Sequence, residues 1–485
     1  MSTAVKPPTA NRGGAAGLGL SANAPSIRLP LRFMITGLMA LLVAFAALLL
    51  RPELLATYHY NQYIIAVTHL VILGWICTIV MGALYQLVPV ALETKLYSER
   101  LARWQFLFHI VGFAGMVWMF WTWNLKHVGH FGTVLVVGAC LFVYNIVRTL
   151  WRVPRWNIIA SAVASAMVWL LLAVLAGLTI AMGKTSYSSN LSGSIGTLVG
   201  GLKSIAAFMA HFDAISAMHA HAHLGAVGVF LMLIVGISYK LIPMFALSDI
   251  QNHWRTRASV WLINAGLLLS FFTVLFRSRY KELGAVTVIA GLALYGIEIN
   301  AILRARKRRA LDWGVKYFLT AISVLAPLSI LALVLSWPGL RLTQVTGQLE
   351  NVYGFLALAG VVTFAIIGML YKIVPFLVWY GAYSRRIGLS KVPSLADLYS
   401  PRLQMAGYWS YVTGLVCTSV GIAWSSPVGV RCGVGLLVLS LAILATNVAI
   451  MLSHLLRPRV EPLRAATGSA PTVSPLLSAA AASKA

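Results

Sequence analysis

The sequence predicts an all-α, polytopic membrane protein of about twelve transmembrane helices, arranged as three pseudo-repeats of four. Three observations predict it. Hydrophobic residues make up 60% of the 485-residue chain and charged residues only 10%, far too little charge for the surface of a soluble protein this long. Apolar stretches of span length follow one another from end to end. One helical phrase is written three times.

A span takes about 20 mostly apolar residues. Such stretches lie near 33–50, 62–90, 105–124, 130–147, 157–182, 215–245, 258–276, 283–303, 315–336, 351–380, 405–424 and 430–455. They must be helical, because the bilayer core offers an unpaired backbone amide no partner.

The phrase reads HLVILGWICTIVMGALYQLVPV at 69–90, HLGAVGVFLMLIVGISYKLIPM at 223–244 and FLALAGVVTFAIIGMLYKIVPF at 355–376. Glycine, glycine, tyrosine and proline recur in register: Gly74, Gly228 and Gly360; Gly82, Gly236 and Gly368; Tyr85, Tyr239 and Tyr371; Pro89, Pro243 and Pro375. Repeated glycines let helices approach closely in lipid. Each proline loosens a terminal turn. The opening residue is His69, then His223, then Phe355. The phrase divides the transmembrane region 31–456 into units 31–150, 151–304 and 305–456, with the phrase on the second helix of each. A leader (1–30) and a tail (457–485) are rich in small residues and read as disordered cytoplasmic segments. The Gly/Ser-rich loop 183–204 reads as a mobile outer segment.

Lys and Arg outnumber Asp and Glu by 37 to 11. This excess is not a nucleic-acid signature. It sits in alternate loops, for example Arg148, Arg152 and Arg155, the run Arg304, Arg306, Lys307, Arg308 and Arg309, and Arg385, Arg386 and Lys391. By the positive-inside rule these loops and both termini face the cytoplasm. The partner so implied is the lipid bilayer of a bacterial-type inner membrane, not nucleic acid. The four cysteines, Cys77, Cys140, Cys417 and Cys432, form no C-x-x-C pair and read as packing residues.

The histidines carry the functional signal. His219, His221 and His223 alternate along the sixth span. On a helix, residues four apart share a face and residues two apart oppose each other. His219 and His223 therefore look one way and His221 the other. His69 enters the second span at the same depth, in the outer third of the bilayer. Ionisable groups at such depth are functional by default. His69, His219, His221 and His223 are the candidate metal ligands. His109 reads as bonded to a neighbouring carbonyl, and His127 and His130 as interfacial anchors that could otherwise join His59 or His211. His253 and His454 read as cytoplasmic surface residues. Buried imidazoles suit haem iron or copper. Two facing helices with glycines between them leave room for a porphyrin. Arg51, Arg277, Arg279 and Arg341 are candidates to pair with its propionates. Lys240 and Lys372, after the repeated tyrosines, read as snorkelling to the interface.

The stretch HAHLGAVGVFLMLIVGISYKLIPMF (221–245), with its H-x-H, in a twelve-helix chain of threefold repeats resembles subunit I of the haem-copper oxidases and nitric oxide reductases. The resemblance implies that His221 and His223 serve two haems, one high-spin and one low-spin, and that His69 completes the low-spin site. It implies haem b, one or two, with copper or non-haem iron as a further metal. It implies cytochrome c or another membrane subunit as electron partner, and electron transfer or reduction of O2 or NO as the activity. The chain departs from that family in placing H-x-H on the sixth helix, with Phe355 at the matching place on the tenth, and in having no histidine on the seventh. NnrS-type haem- and copper-containing membrane proteins are a second resemblance, implying a role in nitric oxide response. From the residues alone, a transporter or channel with a His-lined metal or proton path stays open. So does the choice of His221 or His223 as the partner of His69.

Overall fold

The computed structural model describes residues 25–58, 60–184, 204 and 211–462. Most of the leader, the greater part of the loop 183–204 and the tail beyond residue 462 lie outside the described residues.

Twelve long helices are present among the described residues: α1 Arg28–Leu50, α2 Gln62–Ala91, α3 Glu99–Trp121, α4 Leu125–Leu150, α5 Ile158–Lys184, α6 Ala214–Ala246, α7 His253–Leu275, α8 Lys281–Arg304, α9 Trp313–Ser336, α10 Gln344–Arg386, α11 Pro401–Ala423 and α12 Pro427–Leu456. Eleven are long and apolar enough to cross a membrane. The exception is α11, which matches the others in length. A two-residue bridge, Ser390–Lys391 with Glu461–Pro462, is the strand pairing seen among the described residues.

The repeats are visible as repeated contacts. The first helix of each unit packs on the phrase helix through the second glycine of the phrase. A side chain at Gly82 would strike Phe33, one at Gly236 would strike Ala162, and one at Gly368 would meet the Gly314 carbonyl. At the basic end, the fourth helix of each unit clasps the loop that starts the third. Asn145 Oδ1 accepts from the Ser98 N–H at 3.1 Å, and its Nδ2 donates to the Ser98 carbonyl at 2.9 Å. Asn447 makes the same pair with Ser400, at 3.0 and 3.3 Å. In the middle unit Glu298 takes that place. It accepts from the Gln251 and Asn252 N–H groups at 2.6 and 2.9 Å and pairs with Arg255 at 3.4 Å. Each phrase tyrosine is buried and hydrogen-bonded: Tyr85 to Gln105, Tyr239 to Ser259, Tyr371 to Asn447.

Two expectations are corrected at the basic end. His454 is not a surface residue. It is 2% exposed and its Nδ1 meets the Tyr383 hydroxyl at 2.7 Å. Lys372 does not snorkel. It pairs with Asp312 and lies 4.6 Å from the Phe245 ring centroid. The chain just after α12 is held as well. The Arg459 N–H donates to the Tyr383 hydroxyl at 2.9 Å, and Glu461 pairs with Lys391 at 2.8 Å.

The phrase helices differ from simple α-helices in one respect the sequence did not reveal. Each winds as a π-helix for eight residues, over Leu70–Cys77, Leu224–Leu231 and Leu356–Thr363. Each segment starts on the residue after His69, His223 or Phe355. Such segments are rare and concentrate at functional sites. The segments of α2 and α6 both meet that of α10.

Candidate functional site

The site forms where these segments converge, toward the end opposite the basic loops. His69 closes the first α-helical part of α2, whose start is capped by Asn61 accepting from the Ile64 N–H at 3.0 Å. Its Nδ1 lies 2.7 Å from the Ile65 carbonyl. Only the ring can donate in that pair, so Nδ1 carries the proton and the Nε2 lone pair points away from the backbone. His223 repeats the arrangement, with Nδ1 2.7 Å from the His219 carbonyl. Metal-bound histidines are typically fixed in this way, by giving the non-ligating N–H to a carbonyl.

His221 occupies the other face of α6, as helical geometry requires. It faces α5 near Gly177, where an added Cβ would come within 2.9 Å of its Cε1. Its Nδ1 is buried and forms no well-aligned hydrogen bond, although the Ala173 carbonyl of α5 lies near the ring. His223 instead stacks on Tyr353 of α10, at 6.2 Å between centroids, and His69 lies against Phe120 of α3 at 4.6 Å. Each of His69, His221 and His223 retains part of its surface although surrounded by helices. There is room beside them: a Cβ added at Gly225 or Gly354 would meet no atom within 4 Å.

His219 is half-buried, and its carbonyl serves His223. Among the described residues no three His, Cys, Asp or Glu side chains converge on one metal position. The donor set therefore suits a haem, which takes one or two axial imidazoles, better than a bare zinc or copper ion, which takes three or four ligands. Two fixed Nε2 lone pairs, one buried ring nitrogen without a well-aligned hydrogen bond and side-chain-free space at two glycines fit that group.

The remaining sequence candidates are placed as follows. His109 is 1% exposed and bonds the Leu73 carbonyl at 3.1 Å and Thr78 Oγ1 at 2.9 Å, as read from the sequence. His127 and His130 are exposed, with ring centroids 5.4 Å apart, and His127 Nδ1 meets Asn124 Oδ1 at 2.8 Å. His59 lies outside the described residues, and His211 and His253 are exposed. Arg51 lies over the Tyr63 and Trp121 rings at 4.9 and 5.8 Å, and Arg279 over Tyr280 at 4.8 Å. Asp213 caps α6 from an exposed position.

Sequence reading missed Tyr353 and a pocket at the start of the same helix. A pocket of about 330 Å3 lies between the segment before α2 and the start of α10, lined by Thr57, Tyr58, Thr343, Gln344, Gln348 and Glu350 among others. Gln348 and Asn351 hold its wall by donating to the Ala56 and Thr57 carbonyls at 2.9 and 2.6 Å. Unlike the histidines, these polar residues follow no repeated phrase.

Residues 20–129 match the family model described as cytochrome C and quinol oxidase polypeptide I. The matched stretch is under a quarter of the chain and includes His69, but not His219–His223. It bears out the likeness to the haem-copper oxidase subunit I-like superfamily read from the sequence. No curated protein matches the chain.

Proposed function

We propose that this subunit I-like membrane protein is a haem-binding redox protein of the bacterial inner membrane, acting in electron transfer or in binding and reduction of O2 or NO. The observation that carries the reading is the shared geometry of His69 and His223, with Nδ1 tied to a carbonyl and Nε2 left free. A bound haem would supply one-electron chemistry at iron, and gas chemistry wherever an axial position is open. His69 and His221 would be the pair that holds one haem b, which would supply electron transfer there. His223 would hold a second haem. The surrounding glycines make room, Phe120 and Tyr353 wall the imidazoles, and the apolar helices exclude water. Among the described residues, no three His, Cys, Asp or Glu side chains form a ready-made site for the oxidases' second metal. Cytochrome c or another membrane subunit is the electron partner the resemblance implies.

The test is expression with haem supply, purification, an absorption spectrum and metal analysis. A Soret band with bis-imidazole α bands supports the reading, and carbon monoxide binding adds an open position. A protein that takes up no haem under adequate supply sinks it. Metal uptake into vesicles by that haem-free protein would point to transport instead.

A further inference from the structure

We propose that His109, acting with Thr78, is a positioning residue for His69: it holds in place the π-wound segment that aims the His69 imidazole. The inference rests on the haem reading above and deepens it.

A π segment shifts backbone pairing from four residues apart to five. One residue of shift turns a helix by about 100°. His69 precedes the segment Leu70–Cys77, while Gly82 and Tyr85, which lock α2 onto its neighbours, follow it. The direction of His69 relative to that packed frame therefore depends on the segment persisting. The segment of the middle unit winds in the same way, so the winding is common to all three units, and bonds from outside the helix ladder set how firmly each segment is held.

Those bonds are present. The Leu73 carbonyl, four residues after His69, accepts from Thr78 Oγ1 at 2.9 Å and from His109 Nε2 at 3.1 Å. In the third unit the matching carbonyl, Ala359, four residues after Phe355, accepts from the Tyr411 hydroxyl at 2.8 Å. His109 and Tyr411 occupy the same place on their helices, each eleven residues after the capping serine, Ser98 or Ser400. The middle unit has Ile263 eleven residues after Asn252, fully buried. An apolar side chain can thus fill this place.

The choice of imidazole at 109 is costly unless its donor matters. A carbonyl only accepts, so Nε2 carries the proton. Nδ1 is then a buried acceptor with no partner, and an orphaned buried polar atom is destabilising. The donor role, not space-filling, accounts for the residue.

The test compares wild-type protein with His109→Leu, His109→Gln and Thr78→Val, reading the low-spin electron paramagnetic resonance signal, the haem midpoint potential and the melting temperature. His109→Leu should keep the Soret band and move the low-spin g values. It should shift the haem reduction equilibrium by about tenfold, which is 59 mV for one electron. His109→Gln, which restores an N–H donor, should return both toward wild type. Thr78→Val should move them in the same direction by less, and decides the matter if His109→Leu does not fold. Unchanged g values and potential, with only a lower melting temperature, overturn the proposal and leave His109 a stabilising residue. A wild-type protein with no Soret band fails at the earlier step, and the proposal falls with the haem reading.

Discussion

His69 and His223 make the same hydrogen bond on two different helices, each Nδ1 lying 2.7 Å from the carbonyl four residues earlier. Each then leads into eight residues of π-helix. In the third unit Phe355 leads into the same winding without a ring nitrogen to direct. The scaffold is therefore threefold and its ligand chemistry twofold.

The first prediction concerns the ligands. His69→Ala should abolish the bis-imidazole spectrum and lower haem content, and His221→Ala should do the same. His223→Ala should spare that spectrum and remove a second haem signal. Haem extraction and absorption spectra of the three purified variants check this. Equal, full haem content in all three would remove the site from consideration.

The second concerns Gly177, which fits His221 by having no side chain. Gly177→Val would push a methyl group into the imidazole, since even a Cβ comes within 2.9 Å of Cε1. Overpacking of this kind costs about 1–3 kcal/mol. Gly225→Val, where the first added atom meets nothing within 4 Å, should leave folding intact and compete with haem for space. Thermal unfolding and haem titration of the two variants separate the outcomes: Gly177→Val should lower stability more, Gly225→Val should lower haem affinity more.

Much of the fold was legible in the sequence because lipid imposes a simple rule: every span must be a long apolar helix. The phrase glycines gave the packing of Gly82, Gly236 and Gly368, and the spacing of His219, His221 and His223 gave their opposed faces. The π segments were not legible, because they follow backbone pairing across a whole helix and leave no residue signature. His454 was misread because its position near a basic chain end says nothing of the Tyr383 hydroxyl that covers it. Lys372 was misread because its partner, Asp312, starts a different helix. Tyr353 was missed because a single aromatic in an apolar helix looks the same whether it packs against leucine or against a histidine.

The third prediction tests the repeated clasp. Asn145→Ala and Asn447→Ala each remove an amide that bonds a serine backbone at both ends, and should cost about 1–3 kcal/mol. Glu298→Ala removes a charged acceptor of two backbone N–H groups and orphans Arg255. Charge-assisted bonds are roughly twice as strong as neutral ones, so this variant should lose the most stability. Melting temperatures in detergent rank the three, and a Glu298→Ala protein that melts above the other two would contradict the argument.

The fourth concerns pH at the start of α6. The Ser216 backbone N–H holds the Asp213 carboxyl below its ordinary value, with the Ser216 hydroxyl and Arg277 adding to the effect. A group whose folded value is depressed contributes stability above its unfolded value, and loses it as pH falls through the folded value. The cap should therefore be intact at neutral pH and weaken only in strong acid. Asp213→Ala should cost about 0.5–2 kcal/mol, the usual worth of a cap, at neutral pH. Asp213→Asn should keep most of the cap and remove its acid sensitivity. Stability measured between neutral pH and strong acid for the two variants checks the sign.

The fifth prediction sets the third unit against the first. Tyr411→Phe deletes the hydroxyl that donates to the Ala359 carbonyl at 2.8 Å, leaving a buried acceptor short of a partner at a cost of about 1–3 kcal/mol. The π segment it serves follows Phe355, which ligates nothing. Losing this bond should therefore lower the melting temperature while leaving haem content, spectrum and midpoint potential at their wild-type values. His109→Leu removes the equivalent bond in the unit that carries His69, and there the spectrum should move. A haem signal that shifts equally in both variants would mean that the bundle responds as a whole, and that the π segments do not aim their ligands one unit at a time.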